Sequence, residues 1–340
     1  MIYRSKAPLR IGLAGGGTDV SPYSDVYGGA ILNATISLSA YASIEPLDTP
    51  TIIIEALDRN EQQQFDFANM LPANGQLDLL KGVYNRIQKD YGLIKSGFRL
   101  STYVDAPAGS GLGTSSTLVV AVLGAFTEML KLPLGDYDIA HLAFQVERED
   151  LQLAGGKQDQ YAATFGGVNF MEFYGNDKVI VNPLRIRPEY MHELGNNLVL
   201  YFTATSRESA AIIKEQVKNV NDKNEKSIEA MHQLKEQSKM MKEALLRGKL
   251  NEIGEILNFG FEQKRRMAHN ISNNSIEAIY DAAKKAGATG GKISGAGGGG
   301  FMTFYCPGNT RYKVIETLNS FGGEVKNYSF TKYGLTTWTI

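Results

Sequence analysis

Three glycine-rich segments hold most of the chemistry legible in this chain. The middle one, Pro107-Ala108-Gly109-Ser110-Gly111-Leu112-Gly113-Thr114-Ser115-Ser116, lies between an apolar strand pattern and an apolar helix pattern. Closely spaced glycines let successive backbone N–H groups fold into a nest, and a helix starting just after adds free amides and the positive end of its dipole; such a segment is suited to phosphate. No Gly-Lys-Ser/Thr closes it, so it is not a Walker A loop, and its spacing is not Gly-x-Gly-x-x-Gly. Alone, it would also serve as a glycine-rich turn with Thr114 or Ser115 capping the helix. The second segment runs from Gly290 through Lys292 and Ser294 to Gly300. A plain hairpin needs one or two glycines, and each extra one costs about 0.5–1 kcal/mol of chain entropy. Close approach of backbone to a ligand accounts for the surplus and makes Lys292, Gly297 and Gly298 candidate substrate contacts. The third segment, residues 7–19, ends in Gly16-Gly17-Thr18-Asp19, whose hydroxyl and carboxylate suit the hydrogen bonds of a polyol.

At 340 residues the chain suggests roughly two domains of about 150 residues each, and hence a cleft between lobes. Lys plus Arg number 35 against 36 Asp plus Glu, so no overall field draws the protein to nucleic acid or an anionic membrane; any phosphate must be held by local groups. Cys306 is the sole cysteine, which excludes an intrachain disulfide and suits a reducing, cytoplasmic setting; its apolar surroundings read as the end of a buried strand. No apolar run has the length of a signal h-region or a membrane span, so no membrane or nucleic-acid partner is expected.

The elements that must position these loops follow from hydrophobic periodicity. Strands are predicted at 3–13, 30–38, 41–47, 51–56 and 98–104, with helices at 77–91, 114–131, 136–151 and 157–165 and a hairpin at 167–182. The polar, proline-bearing stretch 183–195 reads as the boundary, giving domains 1–185 and 186–340. The second begins with a strand at 197–203 and a long polar helical region over 207–266. A helix at 275–286 and a strand, turn, strand, helix, strand pattern to residue 329 complete an α+β arrangement with an antiparallel sheet.

The three glycine motifs in this order resemble the GHMP kinase superfamily, which includes galactokinase, homoserine kinase and mevalonate kinase. The family's middle motif, Pro-x-x-x-Gly-Leu-Gly-Ser-Ser, matches residues 107–115 except for Thr114. The resemblance implies a two-domain α+β fold, an N-terminal ribosomal protein S5 domain 2-like lobe and a C-terminal ferredoxin-like lobe. It also implies ATP phosphates wrapped by 107–116, and Mg²⁺ held by Ser115 and a helical acid, best matched by Glu147 with Glu149 and Asp150 as competitors. Apart from the resemblance, that acidic stretch also reads as a solvated helix face. The segment 155–163 resembles the motif bearing the family's catalytic aspartate and points to Asp159, which could equally be a first-turn acid stabilising a helix dipole. Arg10 falls where relatives carry lysine or arginine; it would keep Asp159 ionised and neutralise the transferring phosphoryl group, and it cannot serve as a base.

Within the family, Ala14-Gly15-Gly16-Gly17-Thr18-Asp19 resembles sugar 1-kinases that act on a heptose 7-phosphate and departs from the Gly-Glu-His-Thr-Asp pattern of galactokinase. Fucokinase-like relatives place a tryptophan at the position of Gly17, so a glycine there leaves space. The resemblance implies phosphorylation of the anomeric hydroxyl of D-glycero-D-manno-heptose 7-phosphate, and Arg207, Lys292 and Lys157 are candidate cations for the sugar phosphate. An unphosphorylated sugar such as L-fucose, or a silent sugar sensor on the same fold, are the alternatives.

Overall fold

The computed structural model describes residues 1–205 and 209–340. Arg207 therefore lies outside the described residues. In chain order the first lobe contains β1 (Tyr3–Ala14), α1 (Tyr23–Tyr27), β2 (Gly29–Pro46), β3 (Thr51–Ala56), β4 (Glu61–Asp66), α2 (Asp78–Tyr91), β5 (Phe98–Val104), α3 (Thr114–Leu130) and α4 (Asp136–Gln145). A π-helical turn, Val146–Asp150, continues α4, and α5 (Gln158–Phe165), β6 (Val168–Phe173) and β7 (Val179–Pro183) follow. The second lobe holds α6 (Pro188–Asn197), β8 (Leu198–Phe202), α7 (Ser209–Asn221), α8 (Glu225–Arg247), α9 (Ile253–Met267), α10 (Asn274–Ala286), β9 (Gly290–Ile293), β10 (Phe301–Tyr305), α11 (Arg311–Asn319) and β11 (Glu324–Lys326), before the last strand β12 (Thr336–Thr339).

Eight strands form the first sheet, along the path β12-β1-β2-β5-β3-β4 with β6 and β7 attached through β2. Sequence periodicity splits β2 in two, yet it is continuous, because no glycine or proline interrupts it and each half has its own partner: Gly29–Ala34 pairs with β6 and Ala40–Pro46 with β5. β4 has no apolar signal in Glu-Gln-Gln-Gln-Phe-Asp; it is an edge strand with alternating half-buried and exposed positions. Antiparallel pairing of β12 with β1 returns the chain's last residues to this first sheet, so a cut at 185/186 separates Thr336–Thr339 from the sheet they complete. In the second lobe, four antiparallel strands run β11-β8-β10-β9, which is 4-1-3-2 counted within the lobe, the ferredoxin-like order. The stretch read as the boundary between lobes contains α6, opened by Pro188 at its first turn, where the missing N–H of proline is harmless.

One apolar core packs α2 and α3 on the first sheet through Ile44, Ile54, Leu100, Val119 and Phe126. Another fills the second lobe, with Cys306 fully buried as expected. A third joins the lobes: Leu9, Ile11 and Leu13 of β1 meet Met241, Leu257 and Phe301. This shared core fixes β1, which carries Arg10, against the second lobe. Among the described residues, no helix is long and apolar enough to cross a membrane.

Candidate active site

Between β5 and α3 the chain turns through Gly109, Gly111 and Gly113 at φ of 71°, 85° and 80°, a region that side-chain-bearing residues rarely adopt. Gly113 occupies the N-cap position of α3, and no side chain caps the helix. Thr114 and Ser115 are therefore not caps. Pro107, Gly109 and Ser115 are exposed, whereas Ser110, Leu112, Thr114 and Ser116 turn inward. The carbonyl of Ser110 accepts the N–H of Phe301 at 2.8 Å and that of Leu112 accepts the N–H of Arg10 at 3.1 Å, which locks the loop onto both lobes.

The glycine surplus after Ser294 has a different cause from the one expected. A Cβ on Gly295 would lie 2.7 Å from Cα of Gly111, one on Gly297 2.8 Å from the carbonyl of Ile271, and one on Gly300 would collide with the Ser110 carbonyl. The run is glycine because backbone packs on backbone, holding the phosphate loop from behind. Gly295 and Ala296 line the cleft; Gly297 and Gly298 are buried against Ile271 and do not.

Asp159 sits in the first turn of α5 and is joined to Arg10, whose Nε and second terminal nitrogen both approach Oδ1 at 2.6 Å. The remaining terminal nitrogen of Arg10 donates to the carbonyl of Gly111 at 2.6 Å. One buried guanidinium thus ties the carboxylate to the phosphate loop, and a register shift between Pro8 and Arg10 falls where β1 presents it. Asp159 also abuts the loop directly, since a Cβ on Gly113 would be 3.1 Å from its carboxyl carbon.

Asp19 has a second task that its sequence context does not reveal. Its Oδ2 accepts the backbone N–H groups of Lys157 at 2.9 Å and Gln158 at 3.0 Å, so the first glycine loop caps the helix bearing Asp159. Gly156 is required there, because any Cβ would strike this carboxylate. Burial pushes the pKa of Asp19 up, while the Gln158 N–H pulls it down. Thr18 is fully buried and donates its hydroxyl to the carbonyls of Gly15 and Ala30, so it shapes the turn and faces no substrate. Gly17 does not leave open space: a Cβ there would be 2.6 Å from Cε of Met267, which fills the room.

Glu147 lies in the π turn, 1% exposed, and lines the same cleft as Ser115 and Asp159. Its Oε2 accepts Gln160, which also donates to Ser116 at 3.2 Å, and burial raises its pKa. Burial outweighs the charge of Arg148, 3.7 Å from Oε1, and a buried carboxylate in one cleft with an exposed hydroxyl fits a hard divalent cation completed by nucleotide oxygens. Of the competitors, Asp150 is committed to Arg86 at 2.7 Å.

Among the candidate cations, Lys157 is neutralised by Asp177 at 2.7 Å. Lys292 is buried and donates to the carbonyl of Gly12 at 2.7 Å. Gly16 is flanked by two ammonium groups: a Cβ there would be 3.9 Å from Nζ of both Lys292 and Lys264. Lys264 was not singled out by motif. Its signal is positional, for Leu257, Phe261, Lys264 and Ala268 share the buried stripe of α9 and the residue after it, where a lysine is out of place. Gln216, 2% exposed, also lines the cleft, and its Nε2 has no partner among the described residues.

The cleft, about 300 Å³, opens on either side. One neighbouring cavity of about 470 Å³ is bounded by Leu77, Leu80, Val104, Ala108, Ser115 and Leu118, all from the first lobe. A second of about 450 Å³ lies beyond Asp19, Arg148 and Gly155.

Residues 78–167 match the GHMP kinases N-terminal domain and residues 241–324 the GHMP kinases C-terminal domain. The chain is 48% identical over 99% of its length, and 99% of the relative's, to D-glycero-alpha-D-manno-heptose 7-phosphate kinase of Campylobacter jejuni. It is 27% identical to L-fucokinase/L-fucose-1-P guanylyltransferase of Bacteroides fragilis, over 87% of this chain but 34% of that protein. A crystal structure described as a D-glycero-D-manno-heptose 1-phosphate kinase from Bacteroides thetaiotaomicron superposes with a TM-score of 0.86 at 46% identity, covering 99% of each chain. With both lobes matched by the family's patterns, and nearly half of all residues shared with a full-length relative, the chain belongs to the GHMP kinase family.

Proposed function

We propose that this chain transfers the γ-phosphoryl group of ATP to the anomeric hydroxyl of D-glycero-D-manno-heptose 7-phosphate, giving the 1,7-bisphosphate. The observation that carries the reading is the Arg10–Asp159 pair set against an uncapped glycine loop, in a chain 48% identical to a relative named for that substrate. The adenine would lie in the cavity beside Leu80, Ser115 and Leu118, whose lining comes from the first lobe. The phosphates would pass over Gly109–Ser115, whose backbone N–H groups and helix dipole favour them. Asp159 would accept or orient the proton of the attacking hydroxyl, and Arg10, fixed between that carboxylate and the loop, would offset charge on the transferring group. Ser115 and Glu147 would hold Mg²⁺, which when bound supplies charge neutralisation at the nucleotide phosphates. Asp19, with Oδ2 engaged, has Oδ1 left for a sugar hydroxyl.

The test is ADP release over a panel of heptose 7-phosphate, L-fucose, D-mannose and galactose at saturating Mg-ATP, followed by ³¹P NMR of the product. The phosphate on C1 of heptose 7-phosphate is the expected outcome. Preference for L-fucose would support the reading suggested by the fucokinase relative, and no turnover of any sugar would support a sensor. A sensor has no use for Asp159, Ser115 and Glu147 in one cleft, which is why catalysis is favoured.

A further inference from the structure

Lys264 presents a charge problem that the catalytic reading leaves unsolved. It is 3% exposed on α9, its ammonium lines the cleft, and no salt bridge or hydrogen bond engages it among the described residues. Lys292, 7% exposed on β9, brings a second ammonium beside Gly16 and, among the described residues, has only the Gly12 carbonyl as partner. On α7, Gln216 adds a buried amide whose N–H₂ has no partner among the described residues. Arg10 is near, but its charge is paired with Asp159 and three of its five N–H donors are held by Asp159 and Gly111. Of the acids, Asp19 is the one whose charge favours protonated Lys264, and its own Oδ2 is taken by two amides. Burying unpaired cations is costly, so a cluster of this kind is stable in charged form when a bound anion completes it. Burial lowers the Lys264 pKa to about 8 and that of Lys292 well below its usual value, as expected for cations lacking a counter-ion.

Geometry selects which anion. Asp159 abuts Gly113 of the phosphate loop, whereas Lys264 and Lys292 abut Gly16 of the first loop, which ends in Asp19. Lys264 and Gln216 line the cleft from α9 and α7 together with Asp19, and Lys292 adds its ammonium behind them at Gly16. We propose that Lys264, with Lys292 and Gln216, forms the subsite for the phosphate that the acceptor already carries, so that these residues select phosphorylated over free sugar. The inference deepens the sugar phosphate kinase reading and rests on it for the identity of the ligand.

The test compares the wild-type chain with Lys264→Gln and Lys264→Met. The readout is the ratio of kcat/KM for D-glycero-D-manno-heptose 7-phosphate to that for the same heptose without phosphate, together with KM for ATP. A charge-assisted hydrogen bond made only with the phosphate predicts that the ratio falls about 10- to 100-fold, through KM, while KM for ATP stays within about twofold. Lys264→Arg should recover part of the ratio. An unchanged ratio with both sugars equally impaired, or a rise confined to KM for ATP, overturns the assignment, the latter placing the cation on the nucleotide. If the wild-type chain turns over neither heptose, the proposed function fails separately. Calorimetric titration of inorganic phosphate into the chain holding a non-hydrolysable ATP analogue then decides. Phosphate binding lost in Lys264→Gln supports the subsite, and equal or absent binding in both chains rules it out.

Discussion

Replacement of Asp19 by alanine separates a capping role from a purely sugar-binding one. Its Oδ2 receives two buried N–H groups at the start of α5, at 2.9 and 3.0 Å, and alanine leaves both without an acceptor. An orphaned buried donor costs about 1–3 kcal/mol. Against this, removing a carboxylate whose pKa is raised by burial recovers part of its desolvation cost, so the net loss should be about 2–4 kcal/mol. At about 1.4 °C per kcal/mol, from roughly 2.1 cal/mol/K of unfolding entropy per residue over 340 residues, the thermal midpoint should fall by about 3–6 °C. Because α5 carries Asp159 one residue beyond the second of those amides, a loosened first turn should also lower kcat about 10-fold or more, since small misplacements of a reacting group are expensive. Asp19→Asn keeps an oxygen acceptor and should lose less than half as much stability. Differential scanning calorimetry and steady-state kinetics on the three proteins make the comparison. If Asp19→Ala melts at or above the wild-type temperature and only the sugar KM rises, Asp19 binds sugar and does not hold the helix.

Asp159→Asn preserves shape but removes charge and basicity; kcat should fall about 100-fold or more with ATP affinity retained, and wild-type turnover would reassign the residue as a dipole acid. Gly111→Val places a branched side chain at φ 85° and against the Ser294 carbonyl, 2.7 Å from its first carbon, so a folded variant with normal ATP affinity would refute the phosphate-loop assignment. Glu147→Gln should raise the Mg²⁺ concentration for half-maximal rate about 10-fold or more while the fold persists, and an unchanged Mg²⁺ titration would remove it from the metal site. Lys264 faces Arg10, Asp19, Lys292 and the Gln216 amide, and its pKa of about 8 in the folded chain lies below the unfolded value near 10.5. Between those values the unfolded state binds more protons, so stability from this group rises with pH. Lys264→Met should therefore be more stable than wild type by roughly 3 kcal/mol below pH 8 and lose that advantage toward pH 10.5. Denaturant titrations at pH 7 and pH 10 read this difference, and a constant gap would contradict it.

Local signals decided a good deal of this protein. Glycines spaced by two ahead of an apolar run left the loop at 107–116 little choice but a left-handed nest opening a helix, because only glycine adopts those angles without penalty. Period-two and helical patterns located β3, β5, α2 and α3 within a residue, since each buries one well-defined face. Tertiary structure decided what had no local signature. The polar β4 and the terminal β12 are strands because a neighbouring edge pairs them, and a long β2 stays whole because two different strands share it. Asp19 is a cap for a helix that begins 139 residues later, and the glycines of 295–300 are needed for close backbone packing, Gly295 and Gly300 on the phosphate loop, Gly297 on Ile271 and Gly299 on Thr205. Lys264 becomes an anion candidate only when α9 folds its apolar stripe inward and carries that lysine beside Lys292. Side-chain type and spacing specify what a segment can bind, but the charge balance of a site depends on which distant groups are buried together, and that is set by packing of the whole chain.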